Sequence, residues 1–268
     1  MNITKAVLVF IMLGALSACG EGKSPETFLG YVEGDFVLVG ADESGRLETL
    51  VVSEGDTITK GALLFALESN HEDAALAAAR ARLEQAEAAL ALAKVGLERA
   101  KKLFKRGVVP RSRLDDAQSS FDANAAATTA ARADVEDART RLDRRRVAAP
   151  VTGTVQEVYY RPGEIVAAGR PIVSLLPPKN IKIRFYVPEP ARPAMRVGKA
   201  MGFSCDGCPA GLTARISFVS SEAEYAPPVI FSREERRKLL YMVEARPQET
   251  AFAIPVGQPV TVTPGPDR

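Results

Sequence analysis

Ser44-Gly-Arg-Leu-Glu-Thr-Leu-Val-Val-Ser-Glu-Gly-Asp-Thr-Ile-Thr-Lys-Gly-Ala-Leu-Leu-Phe-Ala-Leu67 aligns without a gap on Thr152-Gly-Thr-Val-Gln-Glu-Val-Tyr-Tyr-Arg-Pro-Gly-Glu-Ile-Val-Ala-Ala-Gly-Arg-Pro-Ile-Val-Ser-Leu175, at a constant offset of 108 residues. Gly45 falls on Gly153, Gly55 on Gly163 and Gly61 on Gly169, while Ile58 meets Val166 and Leu67 meets Leu175. Each half predicts strand, turn, short strand, turn, strand, with glycines where a turn needs φ > 0 or a close backbone approach. Either half alone leaves an apolar sheet face uncovered. The two are therefore expected to pack together as one β-sandwich.

Two such halves resemble the flattened sandwich of lipoyl and biotinyl carrier domains. In a carrier, a modified Lys sits on the tight turn between the halves. Here residues 68–151 replace that turn, so the modification site has no place. A lipoyl-type carrier protein remains an alternative, but one that has lost its chemistry.

The insert has a different period. Residues 71–146 hold one proline, Pro110, and are rich in Ala, Arg, Glu and Leu. Leu76, Leu83, Leu90, Leu97 and Phe104 recur every seven residues, with Ala79, Ala86, Ala93 and Ala100 three residues after the first four. The pattern returns in Leu114, Phe121, Thr128, Val135 and Leu142, with Ala117, Asn124, Ala131 and Ala138 between them. A large residue at one seam position and a small one at the other lets two helices approach closely, which predicts an antiparallel coiled-coil hairpin. Thr128 and Asn124 are expected to set its register. Ser69 or Asn70 suits the first helix's start, Gly107 its end, and Pro110 the reversal. Each arm of about 36 residues spans about 54 Å at ~1.5 Å per residue. A rigid spacer is one use for such a rod. The tip favours another: Arg99, Lys101, Lys102, Lys105, Arg106, Arg111 and Arg113 occur there with no acidic residue from 99 to 113, a concentration suited to steering an acidic partner.

The N-terminus reads as a secretion signal. Lys5 precedes the apolar run Ala6–Leu16, which is too short to span a bilayer. Leu16-Ser17-Ala18-Cys19 matches a bacterial lipobox, which would make Cys19 the acylated first residue of the mature chain and Gly20–Thr27 a tether.

Split halves, a hairpin between them and a β-rich region after them resemble the HlyD-family periplasmic adaptors, or membrane fusion proteins, of tripartite efflux and secretion systems. The resemblance covers essentially the whole mature chain. It implies a hairpin tip that docks on a TolC-like outer-membrane channel, carried here by Arg99, Leu103, Gly107, Val109 and Asp115. Pro110 stands where the family usually has Ser. It also implies a β-barrel domain over residues 179–263, with strands at 181–187, 199–204, 212–219, 240–245 and 259–263, completed by a strand near 28–39. Glu224-Tyr-Ala-Pro-Pro-Val-Ile-Phe-Ser232 resembles adaptors serving ABC-type exporters, and little chain follows Thr263 for the extra domain of RND-type adaptors. The resemblance therefore implies an ABC exporter as partner in preference to RND, a homo-oligomer of six copies, and no cofactor. The expected location is the periplasm, held by lipid to a membrane, with the inner membrane favoured. An envelope tether without a transport role is the structural alternative.

These readings give an elongated, multi-domain α+β protein. Its expected parts are a lipoprotein signal peptide (1–19), tether and barrel-associated strand (20–40), first lipoyl-like half (41–69), hairpin (70–146), second half (147–178), and barrel with C-terminal tail (179–268).

The remaining chemistry is sparse. With 46% apolar and 25% charged residues and net charge +2, nothing marks a nucleic-acid binder. Cys205-Asp-Gly-Cys208 suggests a disulfide in an oxidising compartment, with two free thiols as the alternative. A zinc site would need further ligands, and the remaining His and Cys are His71 in the hairpin and Cys19. One His supports no catalytic triad, and no Gly-x-x-x-x-Gly-Lys-Ser/Thr loop occurs, so an enzymatic role is not expected and ATP hydrolysis would belong to a partner.

Overall fold

The computed structural model describes residues 26–225, 239–248 and 254–265; Cys19 with the signal segment, residues 20–25 of the tether and residues 226–232 of the exporter-related segment lie outside the described residues. The chain divides into two compact units, residues 36–177 and, as the second, residues up to Asp35 together with those from Pro178 onward.

Strand β1 (Phe28–Gly34) opens the barrel unit, whereas β2 (Val37–Gly40) pairs with a strand of the sandwich unit. The expected single barrel strand over 28–39 is thus two strands in two units. The break falls at Asp35, whose N–H donates to the Asn180 carbonyl (3.1 Å) while Asn180 Nδ2 donates to the Asp35 carbonyl (2.8 Å). Those bonds close β1 against the chain's return and release Phe36 onward to the other sheet.

In the sandwich, β3 (Gly45–Leu50), β4 (Thr57–Ile58) and β5 (Leu63–Leu67) come from the first repeat. β6 (Arg146–Ala148) follows the hairpin, then β7 (Gly153–Val158), β8 (Ile165–Val166) and β9 (Pro171–Leu176) from the second repeat. The sheets run β2-β9-β7-β4 and β6-β5-β3-β8. Each half lends its short strand to the other: β4 pairs with β7 (Thr57 opposite Thr154) and β8 with β3 (Gly45 opposite Val166). Neither half can complete a sheet alone, which is why the repeat survives a long insertion. Equivalent positions fill one core: Leu47 with Val155, Leu64 with Ile172, Phe65 with Val173, and Leu67 with Leu175, all buried.

The insert is two helices, α1 (Asn70–Lys105) and α2 (Arg111–Arg144). Every seam position named above is buried or half-buried except Phe104, which is 40% exposed. Thr128 Oγ lies 3.2 Å from the Ala86 carbonyl across the seam. Counting equally along both helices from that contact sets Phe104 level with Pro110, just beyond the first residue of α2. The seam has run out of partner helix there. Thr128 thus makes the cross-helix contact expected of it, while Asn124 Nδ2 bonds the Ser120 carbonyl of its own helix (2.8 Å). Ser69 sits at the N-cap of α1, but its hydroxyl bonds the Asp73 carboxylate (2.9 Å) instead of a backbone N–H.

The second unit is a closed barrel ordered β1-β10-β13-β12-β11-β14, with β10 (Ile181–Pro188), β11 (Ala200–Ser204), β12 (Thr213–Tyr225), β13 (Leu239–Pro247) and β14 (Pro259–Pro264). Alternation along β10 sends Ile183, Phe185 and Val187 into the core with Val32, Met201, Ile216, Val243 and Val262, leaving Lys182 and Arg184 on the outer surface. Closure removes the free edges that an open sheet of this size would present.

Candidate docking site

The hairpin tip is built by the end of α1. Gly107, at φ +67°, donates its N–H to the Phe104 carbonyl (3.0 Å), and Val108 donates to the Leu103 carbonyl (3.0 Å). This pair of bonds satisfies the last carbonyls of the helix and requires the left-handed conformation that glycine adopts freely. Pro110 then holds an extended conformation (φ −72°, ψ 161°) immediately before α2, where its missing N–H costs nothing.

The sequence-derived tip residues fall into two groups. Leu103 and Val109 are half-buried and lie with exposed Gly107 at the reversal. Arg99 and Asp115 are both exposed but are not neighbours. Ala93, Leu97 and Ala100 face α2, so Val95, Arg99, Lys102 and Arg106, spaced by four, three and four, share the opposite face of α1. These residues line a shallow groove together with Lys94, Glu98 and Leu103, so that Val95 and Leu103 are set among four bases and one acid. Asp115 instead lies on the outer face of α2, 3.8 Å from Arg111. Of the seven tip cations, Lys101 pairs with Glu98 (3.2 Å) and Arg111 with Asp115; the other five have no carboxylate partner among the described residues. The tip therefore carries an uncompensated positive field that can steer an acidic surface.

The base of the hairpin holds a residue that sequence reading passed over. Arg145 follows α2, and its guanidinium, 13% exposed, pairs through Nη2 with Glu72 of α1 and with Glu43 of the sandwich (3.4 Å). Its Nη1 donates to the Ser44 carbonyl (3.0 Å) and its own carbonyl accepts from the Leu67 N–H (2.8 Å). One side chain thus ties both helices to the β-sheet. In sequence it is the middle of Arg144-Arg145-Arg146, indistinguishable from a solvated run, because its principal partner is 73 residues away.

On the barrel's outer surface Lys182 contacts Asp35 (3.0 Å) and Glu244 (3.1 Å), and Arg184 contacts Glu33 and Glu244 (2.8 Å each). Burial opposes ionisation of Glu244, yet the hydrogen bonds from Arg184 and Lys182 outweigh it and hold the carboxyl below its ordinary value. Burial likewise works against the Lys182 charge, and its bonds to Asp35 and Glu244 reverse the effect and raise it.

Cys205 and Cys208 stand 5.2 Å apart at Cα on the turn between β11 and β12, a separation that a disulfide spans, and both pack against the barrel core. Gly207 (φ +79°) makes the turn, and Gln258 Nε2 donates to the Asp206 carbonyl (2.8 Å) to hold it. His71 is exposed, and among the described residues no group of three His, Cys, Asp or Glu side chains is placed to hold a metal. No described helix is long and apolar enough to cross a membrane.

The split sandwich bearing a helical hairpin and the closed barrel share the fold of solved membrane fusion proteins. Residues 75–144 match the family described as "RND MFP, alpha-helical hairpin domain". The chain superposes on the membrane fusion protein Spr0693 of Streptococcus pneumoniae with a TM-score of 0.65 at 18% identity, over 88% of this chain and 97% of that one. It superposes on MacA of Actinobacillus actinomycetemcomitans with a TM-score of 0.54 at 18% identity, over 91% and 80% respectively. A UPF0194 membrane protein of Acidithiobacillus ferridurans is 27% identical, aligned across 96% of this chain and 93% of its own length.

Proposed function

We propose that this chain is a non-enzymatic periplasmic adaptor, linking an inner-membrane exporter to a TolC-like outer-membrane channel for efflux or secretion. The observation that carries the reading is the hairpin itself: a continuous helical rod, clamped at its base by Arg145 and ending in unpaired cations around Leu103. A structural spacer would need the rod but not the charged, partly apolar end. Matches to a membrane-fusion hairpin family and to the folds of Spr0693 and MacA support the same role.

In this reading Arg99, Leu103, Gly107, Val109 and Asp115 form the channel-docking tip, the β-domains meet the exporter, and several copies, six by analogy, assemble in a ring. Acylation at Cys19 holds each copy to a membrane, the inner one favoured, and a Cys205–Cys208 disulfide closes the β11–β12 turn. An ABC-type exporter is supported by the Glu224–Ser232 segment. The RND label of the matched family concerns the hairpin, which in this reading meets the channel and so does not choose between exporters. Leu103→Cys, carrying a thiol-directed crosslinker in cells, is expected to capture an outer-membrane channel; a well-expressed variant that captures none overturns the docking role.

A further inference from the structure

The turn between β11 and β12 carries Cys205 and Cys208, and its backbone is held closed by several contacts that do not involve sulfur. β11 and β12 pair at Gly202 and Thr213, and Phe203 donates its N–H to the Leu212 carbonyl (3.0 Å). The Phe203 and Leu212 side chains are both buried in the barrel core. Inside that closure, Cys208 donates its N–H to the Cys205 carbonyl (3.1 Å), and Gly207 takes the left-handed conformation at φ +79°. The Asp206 carbonyl accepts from Gln258 Nε2 (2.8 Å), and Gln258 is itself fixed, because its carbonyl accepts from the Val32 N–H of β1 (2.9 Å).

A disulfide between Cys205 and Cys208 therefore has little left to hold. It joins two strands that are already hydrogen-bonded, across a sequence separation of three. The chain freedom that a cross-link removes from the unfolded state shrinks with the loop it closes, and only Asp206 and Gly207 lie between these cysteines. The barrel closes through its strand pairing, β1-β10-β13-β12-β11-β14, without help from the bond. A bond that the fold does not need can be lost and remade while the fold persists.

The sulfurs also sit where a reagent can reach them. Cys205 and Cys208 are half-buried, packed on one side against the barrel core, while Ser204, Asp206, Gly207, Pro209 and Ala210 around them are all exposed. Exchange needs an incoming thiolate to reach one sulfur, so exposure separates a labile disulfide from an inert one.

We propose that Cys205 and Cys208 form a reversible dithiol–disulfide couple that exchanges with low-molecular-weight thiols, a modification site on the barrel and not a structural staple. One thiolate attacks a cysteine sulfur, forms a mixed disulfide and releases the other cysteine as a thiolate. A second thiolate attacks the small-molecule sulfur of the mixed disulfide, which frees the remaining cysteine and leaves a small disulfide. Two electrons pass from the small thiols to the protein, their two protons end on the cysteines, and the small disulfide reverses both steps. The inference rests on the Cys205–Cys208 pairing proposed above and is independent of the adaptor role.

The test uses the full-length chain, folded and without denaturant, in glutathione buffers with thiols trapped by alkylation. The tryptic peptide 200–215 holds Cys205 and Cys208 but not Cys19, so its mass reports this pair alone. Millimolar reduced glutathione is expected to convert more than about half of the peptide to the doubly alkylated form, and oxidised glutathione to return it to the disulfide. The thermal midpoints of the reduced chain and of the Cys205→Ser, Cys208→Ser double variant should lie within about 4 °C of the oxidised chain. A larger fall in either midpoint would reveal a structural staple and overturn the proposal. Thiols that stay free in oxidised glutathione would remove the pairing itself, whereas a disulfide that resists reduction until denaturant is added would remove only its reversibility; each overturns the couple.

Discussion

At the residue scale, the glycines of the repeat divide by the physical need each serves. Gly55 and Gly163 sit at φ +91° and +96° with open space where a Cβ would go, so their constraint is purely conformational. Gly153 has an ordinary φ, but a Cβ there would stand 2.7 Å from the Leu176 carbonyl oxygen and 2.9 Å from the Pro177 nitrogen, both backbone atoms that cannot swing aside. Gly107 belongs to the first class, at φ +67° with nothing within 4 Å. Gly107→Ala is therefore expected to cost about 1 kcal/mol, the price of the left-handed conformation, and Gly153→Ala about 1–3 kcal/mol from overpacking a close strand crossing. Urea midpoints followed by circular dichroism would rank them, and a larger loss at Gly107 would contradict the assignment. The repeat made both needs readable without saying which glycine served which. Arg145 was not readable at all, since a buried guanidinium and a solvated one look alike until the chain brings Glu43 and Glu72 to it.

At the scale of elements, the hairpin was the most legible part. Heptad spacing marks the face that must be buried, and burial follows it down to Leu97 before the seam runs out at Phe104. The 28–39 segment was less legible because its alternating apolar residues suit either sheet. Only the Asp35–Asn180 bonds decide where one strand stops and another starts. On the barrel, cross-strand ions link β1, β10 and β13 through Glu33, Lys182, Arg184 and Glu244. Glu244 has a folded pKa below its ordinary value of 4.5, so its ionised form contributes stability above that pH and the contribution disappears as pH falls through the lower folded value. The thermal midpoint of the barrel should therefore drop on acidification below about pH 4. Glu244→Gln should be less stable than the wild type at neutral pH, with the gap narrowing in acid. A gap that stays constant from pH 7 to 3 would show that the carboxylate's charge plays no part.

At the scale of the whole molecule, the proposed adaptor role gives each unit a place in a larger assembly. The sandwich repeats a carrier-like half twice, yet the turn that would display a modified lysine has become a rod of two helices. The rod is clamped at its base and cationic at its end. The most direct measurement is isolation of the full-length chain from cells after in-cell crosslinking, with the accompanying proteins identified by mass spectrometry. The account predicts one complex containing several copies of this chain, an inner-membrane exporter and an outer-membrane channel. Recovery of the chain alone, or with envelope proteins that include neither exporter nor channel, would contradict it.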